Sequence, residues 1–340
     1  MLKIKQFYEI DDNKWDSFVK SNSMGYSYFL KDLIKFHRYA TYKNLSFCII
    51  NEKTDEILFI MQLHLDEHKK KHWWKKSHSN LVSQWGFMVV DNIPRKIKNE
   101  LEAVFDDYIA FLIKKYNVRN FDILGFPPLA DYFICDNKNF INPAMYLHFI
   151  PAHRYTYIVD LSKSEDKLLA ECSETTRQAI RKNEAAEKYL IYESNGNEED
   201  LNAYVKIHNE TYNRTNGVPI AYEYHKNMFF NLIPKKLCRI FFLVDKNTNK
   251  KIAQVAILIY NKTAYYWWGG SLDEKDIGAN KYLLFKVIKI IKQSFDNNGY
   301  FETGAAWIFL RTGKEKGLND YKKSFGCFLQ PIFTGHYLPK

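Results

Sequence analysis

Two kinds of ionisable side chain in the last quarter of the sequence could do acid–base or anion-stabilising chemistry. Lys322 and Lys323 lie between two aromatic residues after a glycine-rich segment, and Glu302 stands at the end of a short apolar run. A cation can stabilise a developing oxyanion, and a carboxylate whose pKa is raised by burial can accept a proton. The alternative for the two lysines is a solvated pair on the surface, and the alternative for Glu302 is a structural role. Asp122, at the matching position in the first half, favours the structural reading of Glu302.

Two further groups of residues could bind a ligand. Gly278, Ala279 and Asn280 precede a predicted helix, where backbone N–H groups can hold a phosphate, although a glycine there also makes an ordinary turn. Trp267 and Trp268 could pack in the core or against the face of a sugar.

These residues depend on the elements of residues 252–326. Residues 252–260 and 263–268 are β-prone runs separated by Asn261-Lys262, which predicts a hairpin, and Gly269-Gly270 is expected to end it. A helix follows, because apolar residues recur at its spacing: Leu284, Val287, Ile288, Ile291 and Phe295.

The end of this stretch completes a βαβ-like unit. Residues 300–303 predict the next strand, and residues 321–326 are expected in a loop. Ligands of such units normally lie where the strands end. The sequence therefore places its candidate site at that edge of the sheet.

Composition indicates a globular protein with reduced cysteines. The chain has 340 residues, 46% of them hydrophobic, and five widely spaced cysteines. Its 49 Lys and Arg against 39 Asp and Glu give a net charge of +10, which favours anionic partners unless lysine-rich composition alone explains it. No apolar run reaches the roughly 20 residues of a membrane span, and no signal peptide is evident. We therefore expect a cytoplasmic location.

One histidine-rich and basic-aromatic segment has two further interpretations. His64, His68 and His72 recur every fourth residue, but a strand and a lysine run make a metal site unexpected. Residues 68–76 could contact a membrane interface at its inner face, whereas a solvated loop with inward tryptophans is the favoured alternative.

The sequence repeats itself. Residues 47–61 match residues 241–256 in hydropathy and loop length, and in each half a helix and an acidic strand follow. We therefore predict an α/β protein with two domains, residues 1–152 and 153–340, each a mixed twisted sheet flanked by helices.

Short motifs in a shared order make the chain resemble the Fem-type peptidoglycan-bridge aminoacyltransferases, which carry two tandem GNAT-like domains. The motifs run along nearly the whole chain: WDSFV from Trp15, TTRQAIRK from Thr175, ETYNR from Glu210, GGS from Gly269, NKYLL from Asn280 and YKKSFG from Tyr321.

This resemblance implies transfer of an acyl or aminoacyl group to an amine. The chemistry would lie in the second domain, and the first domain would help to bind the acceptor. It makes Lys322 the lysine beside the acyl donor, with Lys323 as fallback, and Arg214 the arginine that holds a substrate phosphate. Lys35 or Arg38 takes the position of a partner lysine in the first domain.

The donor and the acceptor stay open at this stage. The donor would be an acyl-CoA or an aminoacyl-tRNA, and no tightly bound cofactor is expected. No long coiled-coil insertion for tRNA is evident, and the segment from Lys275 to Asn280 matches a pyrophosphate loop only in part. The acceptor would be a phosphorylated or lipid-linked cell-envelope precursor, amino sugar or peptide, and not DNA. The competing class is a non-catalytic tandem-GNAT binding protein for such an anionic ligand.

Overall fold

A computed structural model describes residues 1–35, 42–67, 78–130, 141–272, 278–307 and 313–338. It divides into two compact units, Met1–Arg154 with Pro331–Lys340, and Tyr155–Gln330. The C-terminal residues thus cluster with the first unit, whereas the sequence-based division assigns them to the second. Arg38, Lys275, His68, His72 and the Trp73-Trp74 pair lie outside the described residues.

The first unit combines short strands with one long helix. In chain order its elements are β1 (Leu2–Gln6), α1 (Asp12–Ser21), α2 (Lys31–Lys35), β2 (Tyr42–Asn44), β3 (Phe47–Asn51), β4 (Ile57–Met61), β5 (His64–Glu67), β6 (Ser79–Ser83), β7 (Phe87–Val89), α3 (Arg95–Tyr116) and β8 (Val118–Ile123). Strand β9 (Phe149–Asp160) begins here, and β15 (Phe328–Tyr337) ends here.

The long helix α3 forms because its apolar residues share one face. Leu101, Phe105, Ile109 and Leu112 are buried at intervals of three or four residues. Asn117 ends the helix in the left-handed conformation, at φ 50°. The helix predicted from the sequence over residues 101–116 is confirmed, and it begins six residues earlier at Arg95.

The second unit is one sheet with helices. After β9 its elements are α4 (Glu165–Glu171), α5 (Glu174–Ala186), β10 (Tyr189–Glu193), α6 (Glu198–Arg214), α7 (Tyr222–Asn227), β11 (Cys238–Asp245), β12 (Lys250–Tyr260), β13 (Thr263–Ser271), α8 (Ala279–Ser294), β14 (Tyr300–Ala306) and α9 (Lys314–Lys323). The strand order is β10-β11-β12-β13-β14-β9.

The pairing of β13 with β14 creates a wedge in this sheet. The two strands are parallel and pair only from Thr263 with Tyr300 to Tyr265 with Glu302. Beyond these three pairs, β13 continues to Ser271 and β14 to Ala306. Because both strands run past the end of their ladder, a gap opens at their carboxyl ends.

Helix α8 joins the two strands and covers one face of the sheet. Leu284, Val287, Ile288 and Ile291 are buried in the core cluster of the second unit. The predicted hairpin, helix and strand are therefore confirmed. The βαβ connection brings the carboxyl ends of β13 and β14 to the same edge.

The internal repeat is visible in backbone detail. Strands β3 and β4 pair antiparallel with a register shift between Ile49 and Ile50. Strands β11 and β12 pair in the same way, with a shift between Leu243 and Val244, the residues that the sequence repeat aligns with Ile49 and Ile50. A shared bulge at equivalent positions is a specific feature of strand geometry. It supports duplication over chance similarity.

Two local predictions were wrong. Gly269-Gly270 does not end β13, which runs through both residues to Ser271, where they pair with Val255 and Gln254. Residues 321–323 are not in a loop, because Tyr321, Lys322 and Lys323 form the last turn of α9. The glycine-rich segment before them includes Gly317, which lies inside this helix, because a helix tolerates a glycine at a cost of about 1 kcal/mol.

No helix among the described residues is both long enough and apolar enough to cross a bilayer.

Candidate functional site

Lys322 lies at the open end of the wedge with its ammonium group buried. The residue is 8% exposed, its Nζ lies 3.4 Å from the carbonyl oxygen of Ala305, and it lies over the Trp307 ring at 5.2 Å from the ring centroid. Burial lowers the pKa of Lys322 from 10.5 to about 8, and the nearby charge of Glu302 opposes this shift. The wedge therefore holds a cation that can lose its proton close to neutral pH.

Gly304 provides the space for this ammonium group. It has φ +93°, a conformation that L side chains rarely adopt, and a Cβ atom there would lie 2.9 Å from Lys322 Nζ. The glycine of β14 and the lysine of α9 therefore form one local arrangement.

Glu302 is buried on the same strand, two residues before Gly304. It is 1% exposed, and its Oε1 accepts a hydrogen bond of 2.7 Å from the Thr156 hydroxyl. This contact gives the carboxylate a structural partner in β9. Its charge also acts on Lys322, so the two residues predicted as catalytic do belong to one electrostatic site.

Two tyrosines connect β13 with α9. Tyr266 of β13 and Tyr321 of α9 are hydrogen-bonded through their phenol groups, and the Tyr321 hydroxyl donates to the carbonyl oxygen of Asn280 at 3.2 Å. The Tyr266 ring covers Gly269 so closely that a Cβ atom there would lie 1.9 Å from its hydroxyl oxygen. Burial raises the pKa of both phenols, which keeps them neutral hydrogen-bonding groups.

A cavity of about 170 Å³ adjoins Gly269-Gly270, and Arg214 lies at its edge. The exposed Arg214 side chain donates through Nη2 to the carbonyl oxygen of Ser271 at 3.2 Å and is within 3.4 Å of its hydroxyl. Within the described part of the chain Arg214 makes no ion pair. The guanidinium is therefore oriented at the cavity with its charge available to an anion. Lys322 is not among the residues that line this cavity.

The start of α8 is connected to the same cluster through side chains. Asn280 Nδ2 donates to the Ser271 hydroxyl at 2.9 Å, and Gly278 and Ala279 lie beneath α5, where a Cβ atom on Gly278 would be 3.0 Å from that of Ala179. Ala279 is buried. Of the three residues predicted to bind a cofactor, only Asn280 lines the Arg214 cavity.

A second cavity, of about 600 Å³, lies on the other side of Tyr321. Its walls include two lysines, Lys281 and Lys323, and the hydroxyls of Ser173 and Thr175. Lys281 Nζ donates to Thr175 Oγ1 at 3.0 Å, and burial lowers the pKa of Lys281. Lys323 is exposed on this wall rather than in the wedge.

Other residues predicted to bind substrate have local partners. Lys35, exposed at the end of α2, forms an ion pair with Asp12, and this hydrogen bond raises the pKa of Lys35. Trp268 is half-buried and faces the His208 ring at a centroid distance of 6.0 Å. Its neighbour Trp267 is the extra residue of a β-bulge, because Ala256 pairs with Trp268 and Ile257 with Tyr266.

Four residues that the sequence does not predict as site residues also line the Arg214 cavity: Thr211, Ser271, Tyr266 and Gln254. Thr211, Ser271 and Tyr266 give no local signal, since their roles depend on contacts between α6, β13 and α9. Gln254 does give one, because it is the single polar side chain in the apolar run 252–258.

Comparisons with known proteins show a GNAT domain and a shared fold. Residues 170–300 match the model of the acetyltransferase (GNAT) domain. A search of curated proteins finds no match. The crystal structure of FemX has 15% sequence identity and a TM-score of 0.67, over 97% of this chain and 96% of FemX.

Two other solved structures have the same fold. The structure of L-PGS from Bacillus licheniformis has 12% identity and a TM-score of 0.55, over 97% of this chain and 92% of its own. A tandem GNAT protein from the clavulanic acid biosynthesis pathway has 11% identity and a TM-score of 0.53, over 100% of both chains.

These findings confirm the predicted α/β fold and the resemblance: the chain has a Fem-like tandem GNAT fold. Residues 170–300, within the second unit, match the acetyltransferase (GNAT) domain, and this match supports an acyltransferase.

Proposed function

We propose that the protein transfers an acyl or aminoacyl group to the amine of an anionic acceptor, with the chemistry in the wedge of the second unit. The observation that carries this proposal is the buried Lys322 ammonium where β13 and β14 separate. A buried cation without a function is costly to keep, because desolvation disfavours its charged form.

In this mechanism the acceptor amine attacks the carbonyl carbon of the donor. A tetrahedral intermediate forms, its oxyanion is stabilised by the Lys322 ammonium, and the bond to the leaving thiol or hydroxyl then breaks. The amine releases one proton, for which Glu302 is our candidate acceptor, and one proton is needed by the leaving group. The bulge at Trp267 leaves backbone groups outside the ladder, where they could add to the oxyanion contact.

We propose an acyl-CoA as the first donor to test and an aminoacyl-tRNA as the second. The match to the acetyltransferase (GNAT) domain supports the thioester. The second cavity offers Lys281 and Lys323 to the phosphates of such a donor.

For the acceptor we propose a phosphorylated or lipid-linked cell-envelope precursor. Arg214 supplies an oriented guanidinium, a group suited to phosphate oxygens. The likeness to FemX and to L-PGS supports a peptidoglycan or lipid-linked acceptor, and with it a peripheral contact with the membrane.

The first unit is proposed to assist binding rather than catalysis. Its strands β6 and β8 are also parallel and pair only as far as Ser83 with Ile123. Beyond this point the ring of Phe126, fully buried, lies against Gly86, where a Cβ atom would be 2.4 Å from Phe126 Cε1. An aromatic side chain thus fills the place where the second unit has a wedge.

Acyl transfer should depend on pH through Lys322. Purified protein is incubated with acetyl-CoA, longer acyl-CoAs or aminoacyl-tRNA and with sugar-phosphate or peptide amines, and acylated products are detected by mass spectrometry. For a productive pair, we expect kcat/KM to fall above about pH 8, because the oxyanion needs the protonated lysine and burial lowers its pKa to about 8. A lysine with its ordinary pKa would give this fall only near pH 10.5.

The Lys322→Met variant is the control, and its kcat/KM should not show this fall above about pH 8. Product formation from none of these donors, together with thermal stabilisation by acceptors alone, would favour the binding-protein alternative and contradict the proposal.

Replacing Arg214 with alanine should weaken acceptor binding more than it slows turnover. The guanidinium would contact the acceptor's anion in the ground state and the transition state alike, so its loss raises KM about tenfold or more with kcat nearly unchanged. Steady-state kinetics against acceptor concentration measure this. Arg181→Ala, on the exposed side of α5, is the matched control, and an equal loss of kcat and kcat/KM in Arg214→Ala would contradict the assignment.

A further inference from the structure

Gln254 is a buried polar residue inside an otherwise apolar strand. It lies in β12 between Phe242 of β11 and Gly270 of β13, and it is 1% exposed. Among the described residues, neither its amide nitrogen nor its amide oxygen has a hydrogen-bond partner. A buried carboxamide with both groups unpaired destabilises a fold, and an apolar residue of the same size would not. Its presence calls for a function.

The carboxamide lines the cavity that Arg214 borders. Gly270, the strand partner of Gln254, has no side chain to cover it, and both residues line the cavity. Arg214 is held at the same cavity by Ser271. One small space is therefore bordered by a cation and by a neutral group that offers one donor face and one acceptor face.

A ligand that satisfies both residues must combine two chemical groups. It needs an anion for Arg214, and beside it a group that donates one hydrogen bond and accepts another. A secondary amide has this combination in a fixed planar arrangement, which makes it the complement of a glutamine side chain.

We propose that Gln254 is a specificity-determining residue that binds an amide group of the substrate next to the anion held by Arg214. This inference rests on the proposed acyl transfer and names the chemistry that the site selects. Two sources offer an amide beside an anion: the pantetheine arm of an acyl-CoA donor, and an N-acylated acceptor.

The test measures binding by titration calorimetry with probes that separate these sources. Coenzyme A represents the donor. N-acetylglucosamine 1-phosphate represents the acceptor, and glucose 1-phosphate is the matched probe that lacks the amide. The substitution is Gln254→Leu, which keeps the side-chain volume and removes both polar atoms.

We expect Gln254→Leu to bind one amide probe about tenfold or more weakly while its affinity for glucose 1-phosphate stays unchanged, because a site built for a hydrogen-bonding group discriminates against its loss. The probe that loses affinity identifies the source. We also expect Gln254→Leu without ligand to unfold at a higher temperature than the wild type.

Gln62→Leu is the matched control. Gln62 is also a buried glutamine, 2% exposed and with an unpaired amide oxygen, but it lies in the first unit and lines none of these cavities. It should bind every probe like the wild type.

Three results would overturn the inference. Unchanged affinity of Gln254→Leu for both amide probes would indicate that Gln254 has a structural role, with an ordered water as its hydrogen-bond partner. Equal losses for the two sugar phosphates would show that Gln254 binds hydroxyls instead. Failure of the wild type to bind any amide probe would remove the ligand class. Because binding is measured without turnover, these results stand apart from a failure to find acyl transfer.

Discussion

Lys322→Met is expected to lower turnover about a hundred- to thousandfold, the usual loss when one donor to the oxyanion is removed. Methionine keeps most of the side-chain bulk between Gly304 and Trp307 and removes the charge. The ground-state contacts of donor and acceptor do not include this ammonium in our mechanism. Both kcat and kcat/KM should therefore fall by a similar factor, measured by steady-state kinetics near pH 7.

The same variant should be more stable than the wild type at neutral pH. Burial lowers the pKa of Lys322 from 10.5 to about 8, and the residue is 8% exposed. A shift of this size corresponds to about 3 kcal/mol of unfavourable free energy for the buried charged form, as an order of magnitude. Denaturant unfolding at pH 7 should show a gain in this direction for methionine.

The pH dependence of this gain follows from proton binding. Between pH 8 and 10.5 the unfolded wild type binds the lysine proton and the folded protein does not, so wild-type stability rises with pH in this window. The advantage of Lys322→Met should therefore shrink from pH 8 to pH 10.5. Lys316→Met is the control, since this partly exposed lysine of α9 forms an ion pair with Asp320 at the surface. Normal turnover in Lys322→Met would remove the lysine from the mechanism.

Much of the fold could be predicted because it depends on local patterns. The apolar face of α8 repeats at helical spacing, and the Asn261-Lys262 turn joins two β-prone runs, with Asn261 at φ 49°. The repeat was also visible, because both halves keep the same loop length between paired strands.

The geometry of the site could not be predicted, because it depends on contacts between distant residues. Lys322 was singled out, but its buried environment requires the glycine of β14 and the indole of Trp307. The same holds for Arg214, whose orientation depends on Ser271, 57 residues away in sequence. Gly269 was read as a strand end, whereas its actual role is to leave room for the Tyr266 ring. A glycine pattern alone cannot distinguish these uses.

Gly304→Ala is expected to reduce turnover about ten- to a hundredfold although it replaces no catalytic residue. The new Cβ atom would lie 2.9 Å from Lys322 Nζ, so the flexible lysine end must move away from its place in the wedge. Since φ at this position is +93°, alanine also adds backbone strain of about 1–2 kcal/mol. Steady-state kinetics normalised to the folded fraction would separate the two effects.

Gly196→Ala is the matched control for this strain. Gly196 has φ +87°, and a Cβ atom there would lie 2.9 Å from the carbonyl oxygen of Phe229, before α6 and away from the wedge. Both variants should lose stability, but only Gly304→Ala should lose turnover per folded molecule. Combining Gly304→Ala with Lys322→Met should cost no more turnover than Lys322→Met alone, because both act through one ammonium group. Additive losses in the double variant would mean that Gly304 affects catalysis by another route, and the link between the glycine and the lysine would fail.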